Sequence, residues 1–501
     1  MTLVAARRAV GPIVLAVDVG TSSVRVEPYD ALGRLIRDQG AQRQYAARTT
    51  ADGGAEMDPD ELFDQTARAL DEAHARAGRL SQPIGAVAMT TFWHSVLGVG
   101  TDGRPTTPLY LWADSRSRVA MARLRERLDD RAQHARTGCV LHWSYLPAKL
   151  LWLSEAEPER FRRTRHWTSF GEYFHQQVFG RTVCSLSMAS GTGLFDQNAR
   201  GWDREVLEAL PISSEQLTPL DHLDRPLDGP EAAYVRRWPL LRNVPWYPAV
   251  GDGGCSNVGS GCVTRERMAL MVGTSGALRV AWRAERATIP WGGWCYRVDG
   301  RRFVMGGALT NGGNLFAWMR ETLKLPGIGA AERELAAMEP DAHGLTVLPF
   351  LAGERSPGYA AEAQAAILGL DLASRPIDIL RAGLEAVALR FALLHDILKA
   401  EAPEVRQIVA TGGGLLRSPA WVQMMADALG RPVIASGEPE ASSRGAALLA
   451  LEALGAIPAI ETVPAATGRV YEPIPVHHAR YQEAQQRHRR YYRELVADQD
   501  R

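Results

Sequence analysis

Two strand–turn–strand units, far apart in one chain, end in the same Gly-Thr-Ser triplet, and this pairing most limits what the chain can fold into. The first reads as a strand Ile13–Val17, a turn Asp18–Ser23 and a strand about Val24–Tyr29, followed by the turn Asp30-Ala31-Leu32-Gly33. The second reads as a strand Met268–Val272, a turn Thr274–Gly276 and a strand Leu278–Trp282. Their tips are Gly20-Thr21-Ser22 and Gly273-Thr274-Ser275. An echoed unit predicts a duplicated domain with a cleft between the copies. Around the first unit, Pro59–Ala77 has helical apolar spacing, Ile84–Met89 is a buried-strand run, and Val96–Val99 with Pro108–Trp112 reads as a hairpin. Around the second, Pro376–Ala400, Ser418–Leu429 and Ser442–Leu454 read as helices, and Ile408–Thr411 as a strand. A polar helix, about His478–Val496, closes the pattern and its arginines, Arg487 to Arg493, read as a solvated face. Strands alternating with helices predict the α/β class with mixed sheets.

Composition narrows the functional classes. With 501 residues, a prior of roughly 100–200 residues per domain gives two to four domains or subdomains. Basic and acidic residues balance at 57 each, so no global field favours nucleic acid or an anionic membrane. The run Ile13–Val17 is broken by Asp18 and is neither a signal peptide nor a span, and no later stretch is long and apolar enough to cross a bilayer. Five cysteines, none in CxxC spacing, argue against a disulfide framework or structural zinc and fit a reducing cytoplasm. Only Lys149, Lys324 and Lys399 are lysines, which leaves few candidates for a catalytic lysine.

Four glycine-rich segments carry the chemistry. In Asp18-Val19-Gly20-Thr21-Ser22-Ser23-Val24-Arg25, a strand delivers a carboxylate, then hydroxyls at a turn, then a guanidinium. Converging N–H and O–H donors suit phosphate, and Asp18 suits Mg²⁺, although Asp-x-Gly-Thr also suits an ordinary hairpin. Gly273-Thr274-Ser275-Gly276 repeats the hydroxyl tip. Thr411-Gly412-Gly413-Gly414 at a strand end lets a flat ligand approach the backbone. Val250-Gly251-Asp252-Gly253-Gly254 reads as a glycine-rich loop whose carboxylate is the candidate general base for phosphoryl transfer to an alcohol. The P-loop sequence, the protein-kinase His-Arg-Asp set and a Gly-x-Ser-x-Gly elbow are all absent.

Together these residues resemble the FGGY carbohydrate kinases of the actin-like ATPase superfamily, from about Ile13 to Leu454. Asp18–Arg25 looks like the first phosphate motif, Gly273–Gly276 the second, Thr411–Gly414 the adenosine motif, and Asp252 the catalytic aspartate. Ser442–Ala447 and Trp112-Ala113-Asp114-Ser115-Arg116 also match family segments. Ser144–Leu153 and Ala365–Glu385 match less closely, with Leu146 and Gly383 departing from the usual residues. Within the family the likeness is to gluconate kinases, through Trp93-His94-Ser95 (Met-His-Ser there), Ala189–Asp196, Thr274–Arg279, Cys295-Tyr296 and Gly306–Gly313.

The resemblance implies two actin-like (ribonuclease H-like) ATPase domains around a central cleft, 1–247 on the sugar side and 248–501 on the nucleotide side. It implies ATP and Mg²⁺, with Asp18 at the metal and Asp252 as the catalytic residue. Thr21, Ser22, Ser23, Arg25, Gly273, Thr274, Gly313, Gly412, Gly413, Gly414 and Arg417 are the implied nucleotide-binding residues. Trp93, His94, Trp112 and Asn311, with Asp252, are the implied sugar-binding residues, and Asn314 is a further candidate. Trp112 serves equally as a stacking face or as core filling. Asp114 and Arg116 read as a structural ion pair. Arg279 suits a carboxylate by its fork but sits past the hairpin tip, where exposure to solvent is expected. Glu354-Arg355-Ser356-Pro357 reads as the cleft rim. The expected activity is phosphorylation of a terminal hydroxyl, of D-gluconate to 6-phosphogluconate, or of xylulose or another ketose or polyol. A small sugar or sugar acid is then the partner, with a second copy of the chain as the one macromolecular partner considered. A regulator that has lost turnover would not be expected to keep both Asp18 and Asp252. A chaperone-like ATPase would need a peptide-binding module after Leu454, and only about fifty residues follow.

Overall fold

The computed structural model of the protein describes residues 3–497; residues 1, 2 and 498–501, which the expected domain ranges include, lie outside it. The first hairpin comprises β1 (Ile13–Val19) and β2 (Ser23–Tyr29), antiparallel, with Asp18 opposite Arg25. The expected turn Asp18–Ser23 is shorter, because the ladder continues to Val19 and Val24 and holds Asp18 inside the strand. Helix α1 (Pro59–Ala77) starts where expected: Asp58 caps it by accepting from the amides of Asp60 and Glu61, and proline takes the first position, whose N–H has no helical partner. Strand β3 (Ile84–Thr91) lies parallel to β1, and β4 (Val250–Gly251) parallel to β3. Strands β1 and β3 are nearly unbroken apolar runs because each is buried on both faces. The expected division at 247/248 thus falls just before the last strand of the first sheet.

The second half begins with α2 (Asp252–Gly259) and the hairpin β5 (Arg267–Val272) and β6 (Gly276–Arg283). Strands β7 (Trp294–Arg297) and β8 (Arg302–Leu309) extend the antiparallel side. Helix α3 (Pro376–Leu398) leads to β9 (Gln407–Thr411), which is parallel to β5. Then follow α4 (Pro419–Leu429), β10 (Val433–Ser436), α5 (Ala441–Ala453), β11 (Thr467–Tyr471) and α6 (Pro475–Tyr492). The sheet order is β7-β8-β6-β5-β9-β10-β11. The first sheet has β2-β1-β3-β4, so in both halves a hairpin is followed by two parallel strands on the far side of its first strand. The duplication expected from the two tips is present in the topology.

Three local expectations differ from the structure. The glycine run at Asp252 is not a loop: β4 ends at Gly251 and α2 begins at Asp252. Glycine is a poor helix former, and tertiary packing overrides that preference here. Val96 and Tyr110 do exchange backbone hydrogen bonds of 3.1 and 2.9 Å, but Leu97–Val99 pairs with His166–Thr168 and Leu109–Tyr110 with Ala55–Met57. Periodicity marks a strand but not its partner. The last helix is not merely solvated, since α6 buries Tyr481, Ala484 and His488, and Arg487 pairs with Asp341.

Helices α2 and α5 pack face to face between the sheets, and α5, late in sequence, contributes Ala446 to Leu451 to the core under β1 and β3. Their approach depends on small residues: a Cβ on Gly445 would lie 1.9 Å from the Cys255 carbonyl oxygen. Gly445→Ala is expected to cost about 1–3 kcal/mol through overpacking, read as a lowered thermal midpoint, and to lower kcat by displacing α2.

Candidate active site

Asp252 is the first residue of α2, carried to the helix start by the pairing of Gly251 with Thr91 of β3. One of its carboxylate oxygens accepts from the Gly253 amide at 2.7 Å. Burial pushes its pKa up, against that amide and the positive charge of Arg279. Asp18, at the end of β1, is raised to about 7, by burial first and then by the negative charge of Asp252. Arg25 opposes this rise, but Arg25 itself pairs at 3.5 Å with Glu440, just before α5. The first hairpin therefore brings a second carboxylate to the neighbourhood of Asp252.

Arg279 corrects an expectation. It is 6% exposed, and on β6 it points inward rather than to solvent. Its Nη2 lies 3.4 Å from Ser256 Oγ on α2, and its Nε has no hydrogen-bond partner. Strand alternation from the hairpin tip decides this direction, and the sequence did not show which face the α2 helix covers.

The aromatic side of the site is built on Trp93. Its indole lies against β4 and α2 so closely that a Cβ on Gly251 would fall 1.9 Å from Trp93 Cε2. Its Nε1 donates to the Ser187 carbonyl at 2.9 Å, so the ring offers a face and no free donor. Next to it His94 adopts a positive φ of 62°. His94 Nδ1 lies 2.5 Å from the Gly191 carbonyl, which can only accept, so Nδ1 carries the hydrogen. Burial, then the charges of Arg355 and Lys149, hold the His94 pKa down to about 3. The ring is therefore neutral and Nε2 is an acceptor. His94 packs edge-on against Tyr145 and Tyr296, and those two hydroxyls, one from each half of the chain, are 2.6 Å apart.

The nucleotide-side expectations converge in the second half. The Gly313 amide donates to the Gly273 carbonyl at 2.9 Å, and the Asn314 amide to the Thr274 carbonyl at 3.0 Å. Gly412 takes φ of 90° where a Cβ would lie 2.4 Å from the Val272 carbonyl, a position open only to glycine. Arg417 Nε donates to the Gly413 carbonyl at 2.7 Å. The tip of the second hairpin, Gly313, and the Gly412–Gly414 run thus form one surface of closely apposed backbone. On the first hairpin, Thr21 stands half-buried and Ser22 exposed in the turn, while Ser23 is buried at the start of β2.

Other candidates divide. Asn311 is buried, donating to the Gly353 carbonyl with its Oδ1 unpaired. Asn314 is turned inward, its Oδ1 accepting from Gly312 and Leu315, so it closes its own turn instead of facing a ligand. Trp112 is 37% exposed and fills no core. Asp114 and Arg116 form the expected ion pair at 2.5 Å, joined by Glu56 at 2.8 Å. All five cysteines are buried and free. Tyr145, Tyr359 and Glu440 were missed, because no spacing signal marks a residue that reaches a site from another element.

A duplicated sheet with two hydroxyl-tipped hairpins, joined through a helix that begins at a buried carboxylate, is the plan of an actin-like pair of ATPase domains. The chain belongs to the FGGY family of carbohydrate kinases, its N-terminal domain matched by residues 13–259 and its C-terminal domain by residues 268–454. It is 26% identical to the gluconokinase of Bacillus subtilis (strain 168) over 92% of this chain and 91% of that one. It is 25% identical to the xylulose kinase of Lactococcus lactis subsp. lactis (strain IL1403), over 94% of this chain and 95% of that one. The crystal structure of gluconate kinase from Lactobacillus acidophilus superposes with a TM-score of 0.89 at 26% identity, covering 96% of this chain and 98% of that one. FGGY kinases use ATP as phosphoryl donor.

Proposed function

We propose that the protein transfers the γ-phosphoryl group of ATP to the terminal hydroxyl of a sugar acid, gluconate giving 6-phosphogluconate. The observation that carries this reading is Asp252, a carboxylate of raised proton affinity at a helix start, between a second carboxylate and a neutral aromatic pocket. Gluconate as acceptor follows from the similarity to gluconokinases. Xylulose is the second reading, supported by the comparable similarity to a xylulose kinase.

Asp252 accepts the proton of the attacking hydroxyl, and a base of raised pKa is better matched to that task near neutral pH. Trp93 supplies an apolar face to the sugar and His94 Nε2 accepts from one of its hydroxyls, with Asn311 at the loop beside it and Trp112 at the rim. Thr21, Ser22, Ser23, Gly273, Thr274 and Gly313 place the phosphates, and Gly412, Gly413, Gly414 and Arg417 the adenosine, with Arg25 holding the first tip against Glu440. Asp18 fits Mg²⁺: it offers hard oxygen ligands, and burial, then the negative charge of Asp252, lifts its pKa to about 7, a cost that a dication relieves. When bound, Mg²⁺ neutralises charge on the phosphates. The sugar side is residues 1–247 and the nucleotide side 248–501, with the free thiols suited to the cytoplasm.

A coupled ADP-release screen over gluconate, xylulose, ribulose and glycerol tests the assignment; turnover of none of them would defeat it. Arg279 gives a pH prediction. Its positive charge lowers the Asp252 pKa against burial, so Arg279→Met lets that pKa rise. More of the base is then protonated at a given pH, and the acid limb of kcat/KM moves to higher pH; a limb that stays in place or moves lower contradicts it.

A further inference from the structure

Most of the buried arginines among the described residues face a carboxylate, Arg444 at Glu438 included. Arg302 is held by Asp299, Glu452 and Glu461, Arg381 by Glu385, Arg390 by Glu354, and Arg116 by Asp114 and Glu56. Arg279 faces Asp252, and Arg297 gives its guanidinium to the Gln197 carbonyl. Arg355, half-buried, has no carboxylate partner and no side-chain hydrogen bond among the described residues.

The backbone at Arg355 is well fixed. Its loop is tied to β8 by the Ser356 amide donating to the Ala308 carbonyl at 3.0 Å and by the Ala308 amide donating to Ser356 Oγ at 3.1 Å. Asn311 holds the preceding Gly353 at 3.1 Å. The Tyr359 amide donates to the Arg355 carbonyl at 2.6 Å, and the Tyr359 ring meets His142 of the first half at 6.2 Å. His142 lies 6.5 Å from Tyr145, which packs on His94. A loop of the nucleotide half therefore meets the aromatic cluster of the sugar half, and the positive charge of Arg355 is felt at His94 and His142 there. Nearby, Lys149 donates to the carbonyls of Trp143 and Ser144, and burial brings its pKa down to about 7. Its field reaches both His94 and His142. Of the two carboxylates at the cleft, Asp252 lies against the Trp93 indole and is compensated by Arg279 instead.

We infer that Arg355 binds the carboxylate of the sugar acid, across the cleft from the half that holds the sugar, and so sets the preference for acids over neutral sugars. This rests on the sugar-acid reading of the same site. A planar guanidinium suits bidentate carboxylate binding, and a ligand touching both halves favours their closed arrangement.

The test compares gluconate with glucitol, the same carbon chain without the carboxylate, and with xylulose. The unaltered protein should prefer gluconate to glucitol in kcat/KM, by about 10- to 100-fold if one charge-assisted pair is at stake. Arg355→Gln should raise the KM for gluconate by a comparable factor, leave kcat/KM for glucitol and xylulose within about threefold, and leave the thermal midpoint in place. Arg355→Lys should fall between. Equal losses on acid and neutral substrates, or an unchanged gluconate KM, would overturn the role of Arg355 while the sugar-acid reading stands. An unaltered protein that turns over xylulose or glucitol as well as gluconate, or better, overturns both and leaves the kinase itself in place.

Discussion

Asp252→Asn is expected to lower kcat by about 10²- to 10⁴-fold, the range for losing a positioned general base. The substitution is close to isosteric, and the amide oxygen can still accept from the Gly253 N–H as the carboxylate does at 2.7 Å. What disappears is the lone pair basic enough to take a proton. Nucleotide affinity, measured by calorimetry, should change little, because the apposed backbone at Gly273, Gly313 and Gly412 is untouched. Stability should move the other way. Burial raises the Asp252 pKa, so the ionised form is disfavoured in the folded state, and that cost is present above the unfolded carboxylate pKa. Replacing it with a neutral amide removes the cost, so the thermal midpoint should rise at neutral pH and gain less in acid. Retained turnover in this variant would exclude Asp252 as the base.

The second large effect is expected at Gly251. A methyl group there meets Trp93 Cε2 at 1.9 Å, and neither partner has room: Trp93 is held at Ser187, and Gly251 is the last residue of β4 before Asp252. Gly251→Ala should therefore shift the start of α2 and lower kcat about 100-fold, as displacements near 1 Å of a reacting group do. Relief should come from Trp93→Met, which puts a flexible chain in place of the rigid indole. In the double variant much of kcat should return, a coupling that a double-mutant cycle measures directly. Simple additivity of the two losses would show that the Trp93–Gly251 contact does not position Asp252.

Helix α1, the strands of both hairpins and helix α4 were legible because their causes are local. Asp58 and Ser418 cap the helices behind them, prolines follow at the first positions, and β1 and β5 are apolar runs between turns. The hydroxyl tips, the glycine runs and the candidate base could be named for the same reason: each is a short motif whose chemistry lies within a few residues. The helix at Asp252 was not legible, because Gly-Gly-Cys-Ser is helical only where Gly259 and Gly445 let α2 settle on α5. Nor was the inward turn of Arg279, the pairing of Arg25 with Glu440, or the effect of the Arg355 charge on His94.

By itself, then, the sequence determined the duplicated α/β plan, the two hydroxyl-tipped hairpins and Asp252 as the candidate base, since strand periodicity, capping and turn chemistry act over a few neighbouring residues. Tertiary structure alone decided which charges face that carboxylate, which stay unpaired and which ring lies against it. Those relations join residues on different strands, helices and loops, and only packing of the two sheets through α2 and α5 brings them within the range of a hydrogen bond or a Coulomb field.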